Sequence, residues 1–137
     1  MAGGTWVVYA DGASRGNPGP SSIGAAVYDD TGKEVHAVSR RIGRATNNEA
    51  EYSAAIAGLE AALALGARDI ELRMDSELVV RQLEGGYKVR NPRLKRLFGR
   101  VKDLQWRFES FRARHVRREL NRRADQLANQ ALDHDEA

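Results

Sequence analysis

Trp6-Val7-Val8-Tyr9-Ala10-Asp11-Gly12-Ala13-Ser14-Arg15-Gly16-Asn17-Pro18-Gly19-Pro20 is the stretch on which the fold turns. An apolar run ends in a carboxylate, and glycines, prolines and an asparagine follow. Runs rich in Val, Tyr and Trp that are bounded by Gly, Pro and Asn read as strand followed by loop. The expected element is a strand that ends at Asp11 and opens into a tight loop. An aspartate there suits either an Asx turn or a ligand for a metal or a phosphate.

Beyond the loop, Ile23 to Tyr28 is a second apolar strand, and Asp29-Asp30-Thr31-Gly32 is a turn signal. Glu34 to Ile42 then alternates apolar and polar, as a half-exposed strand should. Three strands with short links predict an antiparallel meander. The pattern changes at Thr46-Asn47-Asn48-Glu49, where Thr and Glu have the spacing of a capping box. Ala50 to Leu65 is rich in Ala and Leu and is stopped by Gly66, which predicts a largely buried helix. Arg68 to Met74 is a fourth strand. Ser76 caps a short helix over 77–83, Pro92 opens a helix to about Leu104, and Arg107 to Val116 is a fifth strand. Asn121 is expected to cap a last helix, whose Ala124, Leu127, Ala128, Ala131 and Leu132 form an apolar stripe. Helical crossovers before strands four and five imply parallel pairing there. The expected architecture is α/β: a mixed five-stranded sheet, an antiparallel meander plus two parallel strands, with helices on both faces.

At 137 residues the chain is read as a single domain, 1–137, with enough length to bury a core. It has no cysteine, which excludes disulfides and thiolate metal sites, and its three His are scattered. A metal would therefore be a hard cation held by oxygen. No membrane span or signal peptide is apparent, so a cytoplasmic monomer is expected. The net charge of +3 hides a strong asymmetry. Residues 81–123 hold 15 Lys and Arg against four Asp and Glu, a net of +11, and the rest of the chain carries −8. An acidic region beside a basic one suits a metal-dependent enzyme that grips a polyanion; a solvated basic helix and strand is the plainer reading.

Four carboxylates stand out. Glu51 sits in the apolar helix, while Glu49 has the capping duty; a carboxylate so placed is costly unless it is paired or metal-bound. Asp75 follows the fourth strand and leaves the capping of the next helix to Ser76; strand ends leading into helices are where α/β sheets place ligands. Asp125 flanks the last helix's stripe, where it can also serve the helix dipole or pair with Arg122. Together with Asp11 these residues could not share a pocket as bare anions, because repulsion would raise some of their pKa values. Divalent cations remove that difficulty, and oxygen donors favour Mg²⁺ or Mn²⁺. A pair of such ions roughly 3.5–4 Å apart is a standard device for in-line attack on a phosphodiester.

The motifs resemble ribonuclease H type 1. The resemblance rests on Asp11-Gly12, Gly16-Asn17-Pro18-Gly19, Thr46-Asn47-Asn48 with Glu51, Asp75-Ser76, and Asn121 with Asp125 and Leu127-Ala128, in order and nearly along the whole chain. It implies cleavage of the RNA strand of RNA–DNA hybrids, leaving 5′-phosphate and 3′-hydroxyl ends, with two Mg²⁺ or Mn²⁺ ions held by Asp11, Glu51, Asp75 and Asp125. It also implies contacts to the RNA strand by Asn17, Asn47 and Asn48, and to a phosphate of the DNA strand by Arg44, Thr46 and Asn91. Two departures stand out. The long basic, Trp-containing insertion of many relatives is missing, because Gly85 to Pro92 is too short for it; this resembles a subgroup without that protrusion. Hybrid binding would then lean on Arg93, Lys95, Arg96 and Arg100 and on Arg112 and Arg114. Second, His115 has the spacing of the family's mobile histidine but lies in Arg114-His115-Val116-Arg117-Arg118-Glu119, so either His115 or Arg118 is expected to assist, with a core role for His115 as the alternative. His36 and His134 are read as surface residues. The competing functions are a nucleic-acid-binding module of the same fold without catalysis, and a phosphohydrolase with Asp11 as nucleophile. The latter would want an aspartate where Ala13 stands.

Overall fold

The computed structural model describes residues 3–133; His134 lies outside them. The strands are β1 (Trp6–Ser14), β2 (Gly19–Tyr28), β3 (Glu34–Ala45), β4 (Asp69–Met74) and β5 (Ser110–His115). The helices are α1 (Asn47–Ala64), α2 (Glu77–Leu83), α3 (Pro92–Gln105) and α4 (Arg122–Asp133), with a 3₁₀ turn over Arg118–Leu120 before α4. The sheet order is β3-β2-β1-β4-β5. β1, β2 and β3 pair antiparallel, and β1–β4 and β4–β5 pair parallel. This is the mixed sheet expected from the sequence. Among the described residues, no helix is long and apolar enough to cross a membrane.

Side-chain alternation assigns the two faces. Val8 and Ala10 of β1, with Ile70, Leu72 and Met74 of β4, are fully buried and pack with Tyr52, Ala55, Ile56 and Leu59 of α1. α2 and α3 complete this side; Gln82 of α2 accepts the Tyr52 hydroxyl at 2.6 Å. The opposite face is covered over β1, β2 and β3 by α4. The capping box of α1 forms as its sequence predicts: Thr46 Oγ1 accepts from Glu49 N, and Glu49 Oε1 accepts from Thr46 N. Gly66, at φ +100°, ends the helix in the left-handed region that glycine tolerates.

Three expectations are corrected. β1 does not end at Asp11. Its parallel partner drops away after Tyr9↔Arg73, but pairing with β2 continues from Asp11↔Gly24 to Ser14↔Ser21. Asp11 therefore sits where one neighbour leaves and the other stays, which opens one side of it. β5 begins at Ser110 and not Arg107, because 106–108 finish α3: Trp106, Arg107 and Phe108 donate their N–H groups back to Lys102, Leu104 and Gln105. Asn121 does not cap α4 with its side chain. Its amide turns into the sheet and donates to Ala10 O at 3.0 Å and Asp75 Oδ1 at 3.3 Å. A buried backbone carbonyl at the divergence of β1 and β4 needs a donor, and Asn121 supplies it.

Two close crossings bring helices onto the sheet. A Cβ on Gly12 would lie 2.5 Å from Glu51 N and 2.7 Å from Ala50 Cβ, so only glycine lets α1 come this near β1. A Cβ on Gly24 would lie 2.5 Å from Ala128 N and 2.9 Å from Leu127 Cβ, and would strike the Ala124 carbonyl. Ser22 and Ser39 fix the same crossing of α4 by donating to the carbonyls of Ala128 and Leu127. The first crossing places Glu51 beside β1 and the second places Asp125 there.

Candidate active site

Asp11, Glu51, Asp75 and Asp125 come together around one open cavity of about 490 Å³, which Gly12, Ala13, Ser14, Arg118 and Asn129 also line. The carboxylates reach it from four elements: the middle of β1, the first turns of α1, the end of β4 and the first turn of α4. Asp11 is buried, at 8% exposure. Burial is the largest cause that pushes its pKa up to about 8; Asp75, a hydrogen bond to Asp125, and the charges of Glu51 and Asp125 add to it. Only a protonated Asp11 can donate that hydrogen bond. Glu51 rises to about 7, chiefly through burial, with Asp75 adding and a hydrogen bond from Ser76 opposing. Its Oε2 is buried with no hydrogen-bond partner.

These observations fit a cation site. An orphaned carboxylate oxygen, and the burial and neighbouring carboxylates that push the Asp11 pKa up, both mark a place where positive charge is wanted. All the donors are oxygens, which suits Mg²⁺ or Mn²⁺. Among the described residues, no group of three His, Asp or Glu is arranged to hold a metal by itself. An ion here would be held by one or two carboxylates at a time, with the remaining positions left to water and substrate oxygens, which is the usual habit of Mg²⁺.

Arg118 lines the cavity, whereas His115 ends β5 opposite Met74, is exposed, and is not among the lining residues. Its exposure overturns the core reading of this histidine. Asn129 was not singled out from the sequence. Its Nδ2 donates to Asp125 Oδ1 at 3.0 Å and to Asp125 O at 2.9 Å, so Asp125 pairs one turn onward and not back to Arg122. The i, i+4 spacing of Asp125 and Asn129 was the available signal.

A second cavity of about 460 Å³ is lined by Asn17, Thr46, Asn48, Glu49 and Asn91, with Pro92, Arg93 and Leu94. Asn17 Oδ1 accepts from Asn47 N at 3.1 Å, which ties the β1–β2 loop to the start of α1. Asn91 Oδ1 caps α3, accepting from Arg93 N and Leu94 N, so its NH₂ group is the part left to meet a ligand. Arg44 is exposed on β3 opposite Pro20 and does not line this cavity. The cations of α3 (Arg93, Lys95, Arg96 and Arg100) are exposed on the α1 side of the sheet. Arg112 and Arg114 are on the other face, in register with Glu71 and Arg73. The two basic groups therefore do not form one grip.

Comparison with known proteins bears on the family and the fold. Residues 9–131 match the family model described as reverse transcriptase-like. Ribonuclease HI of Halobacterium salinarum is 50% identical over 131 residues, 96% of this chain and 66% of that protein. Its crystal structure superimposes with a TM-score of 0.93 at 49% identity, covering 96% of this chain and 99% of that one. A bifunctional protein of Mycobacterium tuberculosis is 47% identical over 93% of this chain, which spans only 35% of its length. LC11-RNase H1, solved in complex with an RNA/DNA hybrid, gives a TM-score of 0.90 at 41% identity, covering 96% of this chain and 99% of that one.

Proposed function

The chain belongs to the reverse transcriptase-like family and groups with its ribonucleases HI, and we propose that it is an endonuclease that hydrolyses the RNA strand of RNA–DNA hybrids. The observation that carries this reading is the convergence of four carboxylates from four elements, with one arginine, on a single open cavity. The complex of LC11-RNase H1 with a hybrid supports the substrate class.

In this reading Asp11, Glu51, Asp75 and Asp125 hold two Mg²⁺ or Mn²⁺ ions. Such ions supply Lewis-acid polarisation of the scissile phosphate and activation of water at neutral pH. Asn129 holds the Asp125 carboxylate in one orientation, and Asn121 does the same for Asp75 while anchoring the Ala10 carbonyl. Arg118 offers its guanidinium to the phosphate as negative charge builds up. Asn17, Asn47 and Asn48 have amides that can both give and take hydrogen bonds, which suits the 2′-hydroxyls that distinguish the RNA strand in a wide minor groove. Thr46 accepts a bond as a cap and keeps its O–H to donate; with Asn91 it would hold a phosphate of the DNA strand, and Arg44, outside that cavity, would add its charge from β3. The products are a 5′-phosphate and a 3′-hydroxyl.

The test is a hybrid labelled on each strand and incubated with the protein and Mg²⁺. The RNA strand is expected to shorten to fragments with 5′-phosphates while the DNA strand stays intact. Binding without any product would favour the alternative of a non-catalytic binding module.

Two further results are expected. Protons and cations compete for Asp11 and Glu51, whose pKa values lie near 8 and 7. Cleavage should therefore climb between about pH 6 and 8 and level off above, and higher Mg²⁺ should move the midpoint down. A flat profile measured under single-turnover conditions would contradict this. Without a basic protrusion, grip on the hybrid depends on exposed side chains of α3. The log–log slope of affinity against salt should be about −4 if about five phosphates are neutralised. Titration by fluorescence anisotropy measures it, and Arg96→Ala should make the slope shallower by about 1.

A further inference from the structure

β5 carries cations that the catalytic cleft does not use. Arg112 and Arg114 are exposed on the face opposite α1, α2 and α3, beyond the part that α4 covers. Beneath them Glu71 is buried at 6% exposure and accepts from Arg73 Nε at 2.5 Å and from Arg112 Nε at 3.0 Å. One carboxylate thus fixes two guanidiniums in place. Arg73 also donates to the Tyr9 hydroxyl at 2.6 Å and lies 5.4 Å from the centre of the Tyr9 ring. With Arg114 next to Arg73 in register, three arginines stand against Glu71 and, at the start of the same face of β4, Asp69, so the patch keeps a net charge of +1. Charges scattered only for solubility would not need a buried carboxylate to order them.

The geometry points to a second nucleic-acid contact: the open half of the sheet over β4 and β5 takes the single-stranded flank of a hybrid as it leaves the cleft. Beyond the end of β5 the chain continues through Arg117 to Arg118, which lines the carboxylate cavity, so the segment that leaves this sheet face leads directly into the cleft. Arg112 and Arg114 stand two strand residues apart, roughly 6.6 Å. An extended single strand can follow such a row with its phosphates and lay its bases on guanidinium planes. An acidic protein segment would satisfy the charges but leave the ordered Arg73–Tyr9 platform without a use. The inference rests on the reading of the cleft as a hybrid nuclease.

The experiment compares, without divalent cation, the affinity for a blunt hybrid and for the same hybrid carrying a single-stranded RNA extension of about ten nucleotides. The extension should tighten binding by the wild-type chain about fivefold. Arg114→Glu should remove that gain, while any loss of affinity for the blunt hybrid should be no larger than the loss in Arg40→Glu. Arg40→Glu makes the same charge change on β3, the opposite edge strand, and should keep the gain. Arg112→Gln, which disturbs the Glu71 pair less than a reversal of charge, should reduce it. No gain in the wild type, a gain that survives Arg114→Glu, or equal losses on both substrates in the Arg114 and Arg40 variants would overturn the inference. Polyglutamate that competes away the gain as well as single-stranded RNA does would assign the surface to an acidic protein instead. If the blunt hybrid is bound but never cut with Mg²⁺, the nuclease reading fails by itself, since the flank measurement needs no catalysis.

Discussion

Asp11→Asn is expected to abolish hybrid cleavage and, in the absence of divalent cations, to make the protein more stable. The loss of activity should be at least about 1,000-fold, or about 4 kcal/mol of transition-state stabilisation. The gain in stability follows from linkage. Asp11 has a pKa near 8 in the folded chain against an ordinary 3.8. Below the lower value both states are protonated and the residue is neutral to stability. As pH rises between the two values, the unfolded chain sheds its proton freely and the folded chain resists, so stability falls. Asparagine keeps the hydrogen bond toward Asp125 and removes the penalty. Near pH 7 the gain should be up to about 4 kcal/mol, a rise in Tm of up to about 12 °C, shrinking toward pH 4. Adding Mg²⁺ should stabilise the wild type and leave the variant unmoved, because the ion binds the folded state. A melting temperature lowered by Asp11→Asn at neutral pH would show that the buried carboxylate is held by something other than an awaited cation.

Gly24→Ala should damage the molecule more than any other single added methyl on the sheet. Its Cβ would strike the Ala124 carbonyl and lie 2.5 Å from Ala128 N, both backbone atoms of α4 that no rotamer change can clear. The helix has to lift off β2, and the bonds from Ser22 and Ser39 stretch with it. The expected cost is about 3 kcal/mol or more, a fall in Tm of about 10 °C. Activity at a temperature where the variant is folded should fall further than stability alone explains, because Asp125 rides on the displaced helix. Gly99→Ala is the control. Nothing lies within 4 Å of a Cβ there, and a mid-helix alanine should add about 0.5–1 kcal/mol. Thermal melts of the two variants beside the parent decide; equal melting temperatures for Gly24→Ala and the parent would mean that α4 is not seated as described.

The legible parts of the sequence were those where local chemistry and tertiary structure agree. Thr46 and Glu49 form a capping box whatever surrounds them, Ser76 caps α2 from its own position, and the period of α4 needs no partner to be seen. The four carboxylates could be read because each is poorly explained by local duty. What stayed hidden depends on distant contacts. Asp11 looked like the end of a strand because Gly12 and the loop after it signal a turn. The strand instead continues, held by Ser21 to Gly24 of β2, and glycine at positions 12 and 24 leaves room for a helix on each face. Asn121 looked like a cap because most asparagines before helices are caps; a carbonyl more than a hundred residues away claims its amide. Arg112 and Arg114 counted toward one basic region by composition, but strand alternation sends them to the face away from α3.

Calorimetric titration of Mg²⁺ into the protein near pH 7, repeated in two buffers of different ionisation enthalpy, is the most direct measurement of what the acidic cleft is for. Binding should release about one proton, drawn from Asp11 and Glu51, and both the binding and the release should vanish in Asp11→Asn. Binding that releases no proton, or that persists unchanged in Asp11→Asn, would contradict a cation site built on these carboxylates.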